Sequence, residues 1–267
     1  MKTSELNRHI ASSEELEEYL MQKAVKHNYY KHYALYDRII RIKQDKKLYL
    51  GCGENWNDST DRDNFNSDAY ETRNYGICFS FAREESVAMW MLYGGIEKKS
   101  GMIDFTRSIH NILSIDQIQI GRFYNDKFIA GKTVTRPDFD IKLIDMVYVA
   151  EHTNGYFIKR SDEKAVHVPK SVIKGLSICK KQYPWSYENE CRLVVCVKKS
   201  VLPEDTAGLT DVCIDLKGLD LGTSLKRIYS GPCYCANDDG VRKSSLDQTV
   251  DWSLCEHMDD CGRCGGK

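Results

Sequence analysis

Two glutamates at the head of an apolar run are the residues best suited to chemistry in this chain: Glu188 and Glu190, in Trp185-Ser186-Tyr187-Glu188-Asn189-Glu190-Cys191-Arg192. The run that follows, Leu193-Val194-Val195-Cys196-Val197, has the β-branched, Pro- and Gly-free character of a buried strand. If that strand begins at the glutamates, alternation puts both carboxylates on one face, and Arg192 shares it. Carboxylates fixed in this way stabilise positive charge as it develops on a sugar. The plainer reading is a surface strand end closed by one arginine ion pair, which contributes little.

The elements that must position these residues are legible in outline. Ser12 with Glu15 forms a capping-box pattern, and Leu16, Leu20 and Ala24 behind it predict a first helix over about 13–27. Residues 29–33 read as an aromatic strand, 35–43 as a helix and 47–50 as a strand. Residues 51–74, rich in Asn, Asp, Ser and Gly, read as a long polar loop. A strand over 77–81, a helix over 83–93 ended by Gly94-Gly95, and strands over 102–105 and 146–150 follow. A helix over about 163–182, broken or started at Pro169, leads into the two-glutamate strand. Strands over 212–216 and 225–229 and a short helix over 241–250 complete the pattern. Without regular βαβ alternation or a Gly-rich phosphate loop, the fold class is α+β. The organisation is one domain over 29–250, with a helical segment over 1–28 and a Cys/His-rich tail over 251–267.

A net charge of −1 over 267 residues gives no global attraction to nucleic acid or acidic lipid, so any basic surface must be local. Lys159, Arg160, Lys170, Lys174, Lys180, Lys181, Lys198 and Lys199 supply one around the glutamates, an electrostatic track for a polyanionic acceptor. No apolar run approaches the roughly 20 residues that span a bilayer, and the N-terminus has no apolar signal core. The expectation is a cytoplasmic protein without membrane contact, its 11 cysteines being thiols or metal ligands.

Several short motifs stand in order: Tyr30-Lys31-His32, Asn57-Asp58-Ser59, Phe79-Ser80, Met89-Trp90-Met91-Leu92-Tyr93, Gly101-Met102-Ile103-Asp104-Phe105, Tyr187-Glu188-Asn189-Glu190-Cys191-Arg192 and Gly231-Pro232. Together they resemble, over roughly residues 29–250, a bacterial family catalogued only as a domain of unknown function. Ser59, Leu92 and Cys233 depart from it, standing where that family has Pro, His and Lys. A looser resemblance is to the ADP-ribosyltransferase superfamily, in which a first-strand basic or aromatic residue, a strand ending in Ser and a strand entered by Glu-x-Glu follow in order. It implies a mixed split-sheet core with flanking helices and NAD as the substrate. By that resemblance Glu190 would hold the nicotinamide ribose 2′-hydroxyl, Glu188 would orient or deprotonate the acceptor, and Ser80 would steady Glu190 or the ribose. Lys31, His32 or Tyr33 would hold the adenosine side, with Asn57, Asp58, Trp90, Tyr93 and Arg192 completing the NAD-binding set. Trp90 and Tyr93 are residues more often found in a core than in a nicotinamide-stacking wall, the second option staying open because their helix follows Ser80. The acceptor implied is a macromolecule, nucleic acid (RNA or DNA) ahead of protein, and the context a toxin or antiphage defence effector held by an antitoxin or other inhibitory protein.

Cys255, His257, Cys261 and Cys264 offer the soft and imidazole donors that a structural zinc prefers, though their spacing is compressed; the alternative is a Gly-rich tail of free thiols. Two other readings of the whole chain stay open. One is a non-catalytic binding module that uses the 51–74 loop and the tail. The other is a metal-dependent nuclease built on Asp58, Asp61, Glu188 and Glu190.

Overall fold

Ser12 starts the first helix as its sequence requires: its hydroxyl accepts the Glu15 amide at 3.2 Å, and Glu15 reaches back to accept the Ala11 amide at 2.9 Å. The computed structural model describes residues 10–54, 56, 58–65, 71–94, 99–160, 163–204, 208–232, 234 and 240–248. Its elements are α1 (Ser13–Ala24), β1 (Tyr30–Leu35), α2 (Tyr36–Asp45), β2 (Lys47–Gly51), α3 (Ser59–Phe65), β3 (Thr72–Ser80), α4 (Val87–Tyr93) and β4 (Ser100–Phe105). Then come β5 (Gln117–Tyr124), β6 (Lys127–Thr135), β7 (Phe139–Asp145), β8 (Val147–His152), β9 (Gly155–Lys159), β10 (Val166–Val168), α5 (Lys170–Gly175) and β11 (Lys180–Gln182). A 3-10 turn over Tyr183–Glu188 precedes β12 (Glu190–Lys198), β13 (Asp211–Asp215), β14 (Ile228–Ser230) and β15 (Val241–Lys243). The protein is mixed α+β, as expected. No helix among the described residues is long and apolar enough to cross a membrane.

The main sheet forks at β3. One edge of β3 meets β1 at Lys31↔Ser80 and β2 at Gly51↔Gly76, so two branches leave it: β1-β4-β14-β15 and β2-β13-β5-β6. The other edge pairs along its whole length with β12, which in turn pairs with β7. A second sheet, in the order β10-β9-β8-β11, stands beside this end. Flanked by strands on both sides, β12 is covered on both faces, which explains its continuous apolar run. Leu193, Val195 and Val197 enter one apolar core with Phe79, Ile77 and Tyr30. Val194 and Cys196 enter another, where Leu16 and Leu20 of α1 and Val172 and Ile173 of α5 meet the second sheet. Glu190 and Arg192 belong to this latter face by alternation.

Three expectations need correcting. The 163–182 stretch holds a strand, a six-residue helix with Pro169 at its N-cap, and a second strand, in place of one helix. Antiparallel pairing of Val166 and Val168 with β9, and parallel pairing of Lys180–Gln182 with β8, override the local helical pattern. The 241–250 stretch opens as β15, paired in parallel with β14, and its helical part is a 3-10 turn over Ser245–Gln248. Finally, the 51–74 loop contains α3. Asp58 caps that helix, its carboxylate accepting the Thr60 and Asp61 amides at 2.9 and 3.2 Å.

Candidate active site

Direct register partners in a sheet point their side chains to one side. Asp104, Lys31, Ser80 and Glu190 form such a row across β4, β1, β3 and β12, through Lys31↔Asp104, Lys31↔Ser80 and Glu190↔Ser80. All four are buried. Lys31 and Tyr33 therefore face the same side as Ser80, whereas His32 lies on the opposite side against Phe79, its ring nitrogen 2.9 Å from the Cys78 carbonyl oxygen. His32 does not join the cluster, and burial pushes its imidazole down to about 4.

The strand does not begin at Glu188, as the spacing predicted. Glu188 ends the 3-10 turn, and Asn189 takes a left-handed conformation (φ 47°) before β12 starts at Glu190. The two carboxylates still converge, because Lys181 draws them together. Its ammonium donates to Glu188 at 2.5 Å and to Glu190 at 3.0 Å. Arg192 donates to the other Glu190 oxygen at 2.5 Å and clamps Asp61 with both guanidinium nitrogens, Nη1 to Oδ1 at 2.8 Å and Nη2 to Oδ2. Its guanidinium also lies 4.4 Å from the Trp56 ring centroid, with Phe65 behind. Gly76 makes room for that Phe65 ring; a Cβ there would meet it at 2.8 Å. Tyr148 accepts the Glu190 amide at 2.9 Å, and Tyr93 donates to Glu188 at 3.2 Å. Trp90, on the same helix as Tyr93, packs edge-on to Tyr33 at 4.9 Å and donates to Glu85.

These contacts push the two carboxyls apart. Burial and the neighbouring Glu190 charge raise Glu188 to about 8, with Lys181 opposing. Burial would raise Glu190 as well, but Arg192 and Lys181 outweigh it and hold it ionised, far below the usual carboxylate range. Three carboxyl groups face two cations, so a proton on Glu188 balances the cluster. Burial lowers the Lys31 ammonium, and the nearby Asp104 and Glu85 charges recover only part of that; Lys31 donates to the Arg83 carbonyl at 2.5 Å. One carboxylate kept ionised beside one held near its titration point is the pairing used by acid–base chemistry on sugars.

Of the residues expected at a site, Lys31, Tyr33, Ser80, Trp90, Tyr93, Glu188, Glu190 and Arg192 thus assemble on one side of the sheet. Asp58 is drawn into capping α3 and reaches the cluster only through Asp61. Asn57 and the four tail residues Cys255, His257, Cys261 and Cys264 lie outside the described residues. Among the described residues there is no group of three or more His, Cys, Asp or Glu arranged to hold a metal. Three residues of the expected basic track are engaged elsewhere. Lys181 is buried between the glutamates, Arg160 is buried against Asp145, and Lys198 lies beside Asp138 at the far end of β12. Sequence reasoning missed Lys181 as a member of the site, having placed it on a helix, and missed Tyr148. Asp61, named from the sequence only as a nuclease residue, joins the cluster through its pair with Arg192. A cleft of about 550 Å³ lined by Lys132, Thr133, Asp138 and Leu209 lies at the opposite end of β12 and takes no part in this cluster. No family model, curated protein or solved structure matches the chain.

Proposed function

We propose that this chain is an NAD-dependent ADP-ribosyltransferase that modifies a macromolecule, with the forked sheet as its transferase core. The observation that carries the reading is the row Lys31–Ser80–Glu190 across three neighbouring strands, with Glu188 beside it. Those are the residue types, in the chain order, that the transferase resemblance requires. In the reaction the bond between ribose C1′ and the nicotinamide nitrogen breaks, and nicotinamide leaves with the electron pair. The acceptor's nucleophilic atom bonds C1′ and gives its proton to Glu188. Glu190, ionised throughout, binds the ribose 2′-hydroxyl and stabilises the cation that develops on the sugar. Lys181 now fills the interval between the carboxylates, so its side chain must swing aside for the ribose to enter. Its position also weighs against the nuclease reading, because an ammonium stands where a divalent cation shared by the two glutamates would sit.

The direct test is transfer of labelled NAD to RNA, DNA and protein from a bacterial lysate, with nicotinamide release followed in parallel. Label on an acceptor together with released nicotinamide is expected. A folded protein that yields neither removes the proposal and leaves the binding module as the better reading. The pH profile adds a second check. Glu188 must be unprotonated to take the acceptor's proton, and its carboxyl is raised, so the transfer rate should climb as pH rises through about 8. A rate that is flat between about pH 6 and pH 9 would remove Glu188 from that role.

A further inference from the structure

One face of the second sheet runs from solvent to the glutamates. Through the pairs Ala150↔Phe157, Tyr148↔Lys159, Phe157↔His167 and Tyr148↔Lys181, register and alternation place His152, Ala150 and Tyr148 on one side with Phe157, Lys159, His167 and Lys181. At the outer end, His152, Phe157 and His167 are exposed, with ring centroids 5.1, 5.5 and 5.9 Å apart and planes 68–90° to one another. At the inner end, Tyr148 accepts the Glu190 amide. The two ends are four residues apart on β8, roughly 13 Å at ~3.3 Å per residue. The 3-10 turn that ends in Glu188 adds two more open rings, Tyr183 at 43 % and Tyr187 at 38 % exposure, and Phe157 is comparable at 41 %.

The three rings clustered at the outer end of this face, and the two on the turn that ends in Glu188, leave aromatic surface in water that an occupant would cover. The charge on the face says which. Glu151 is the one carboxylate in β8, β9 and β10, and alternation turns it to the other side, leaving Lys159 and two imidazoles on this one. Aromatic rings interleaved with a cation, with no carboxylate on this side of β8, β9 and β10 outside the glutamate end, match unpaired bases and their phosphates. A duplex keeps its bases stacked away from such rings, so the match is to a single strand.

Resting on the transferase reading, we propose that this face receives the acceptor as a single-stranded nucleic acid. Bases stack on Phe157, His152, His167, Tyr183 and Tyr187, and one base is delivered to Glu188. Single-strand stacking on an aromatic ring is worth about ten-fold in affinity per base. The test is fluorescence anisotropy of labelled oligo-dT and oligo-U with the full chain, at several salt concentrations. Binding that weakens with salt is expected, and Phe157→Ser with Tyr183→Ala should weaken it roughly ten-fold or more. Lys127→Ala, on β6 at the end of the other branch of the main sheet, should bind as the wild type does. The substituted rings are partly in solvent, so both variants should keep the wild-type circular dichroism spectrum.

Absence of binding below about 100 µM, or equal binding by the ring variant, would overturn the proposal. So would label transfer that falls in the ring variant on protein acceptors alone. Nicotinamide release without any acceptor, measured on the same preparations, reports separately on the transferase reading. Release without strand binding defeats only the docking proposal.

Discussion

Replacing Arg192 by methionine is expected to destabilise the protein by about 3–5 kcal/mol at neutral pH, the largest loss from any single substitution in the cluster. Arg192 is fully buried and is shared by Asp61 and Glu190, so its removal takes from buried Asp61 its guanidinium partner and leaves Glu190 to Lys181. The loss arises less from the missing attraction than from the unpaired charge left behind. For a chain of this size that is a fall of roughly 10 °C or more in the thermal midpoint. Its sign with pH is also fixed. In the wild type the Glu190 carboxyl is depressed, so its contribution is full above the unfolded pKa of about 4.5 and is lost progressively as pH falls below it. Without Arg192 that depression weakens, and the variant should recover relative to the wild type as pH falls toward about 4. Urea melts of both proteins at neutral pH and near pH 4 decide it. A gap under 1 kcal/mol at neutrality, or one that widens in acid, would show that the Arg192 cluster does not hold this end of β12 in place.

Legibility followed the range of the interaction. The Ser12 cap, the α1 apolar stripe and the β12 run are written within a few residues each, and all three are present where their patterns lie. Strand β11 is three residues long, and what makes Lys180–Gln182 a strand is pairing with Val147–Val149, more than 30 residues earlier. No local pattern carries that, and the alternation of Val166 and Val168, the one local strand signal nearby, is only three residues long. The helix expected there hid Lys181. A lysine on the outside of a helix is solvated, whereas a lysine on an inner strand beside two carboxylates completes the site. The i, i+2 argument for the glutamates reached the right neighbours by a wrong route. The left-handed Asn189 breaks the strand between them, and the convergence of Glu188 with Glu190 comes from the ammonium they share. The Ser80 and Lys31 partners were legible as an ordered pair of strands. That they fall in one register row with Glu190 follows only from pairings across the fork at β3.

The substitution with the largest expected effect on activity is Glu190→Gln, which should lower nicotinamide release and transfer by about 10²- to 10³-fold or more. The amide keeps the shape of the side chain but brings no charge to a developing ribose cation. It also meets two donors, Lys181 and Arg192, with a single acceptor oxygen, so a modest loss of stability, about 1–3 kcal/mol, is expected as well. Activity must therefore be compared where both proteins are folded. Glu188→Gln is the contrast that separates charge stabilisation from acceptor activation. Its carboxyl is raised to about 8, so folded and unfolded forms are both protonated only below about 4.5, and there the amide changes stability least. As pH rises from about 4.5 to about 8 the unfolded carboxyl ionises while the folded one keeps its proton, so the wild type loses stability that the amide keeps, and the variant's advantage grows across that window and is complete above it. In a transferase working as proposed, Glu188→Gln loses transfer to the macromolecule yet still releases nicotinamide to water, whereas Glu190→Gln loses both. If the two variants lose both activities equally, the division of labour between the carboxylates is wrong. If Glu190→Gln transfers at the wild-type rate, the row Lys31–Ser80–Glu190 is architecture and the chemistry lies elsewhere.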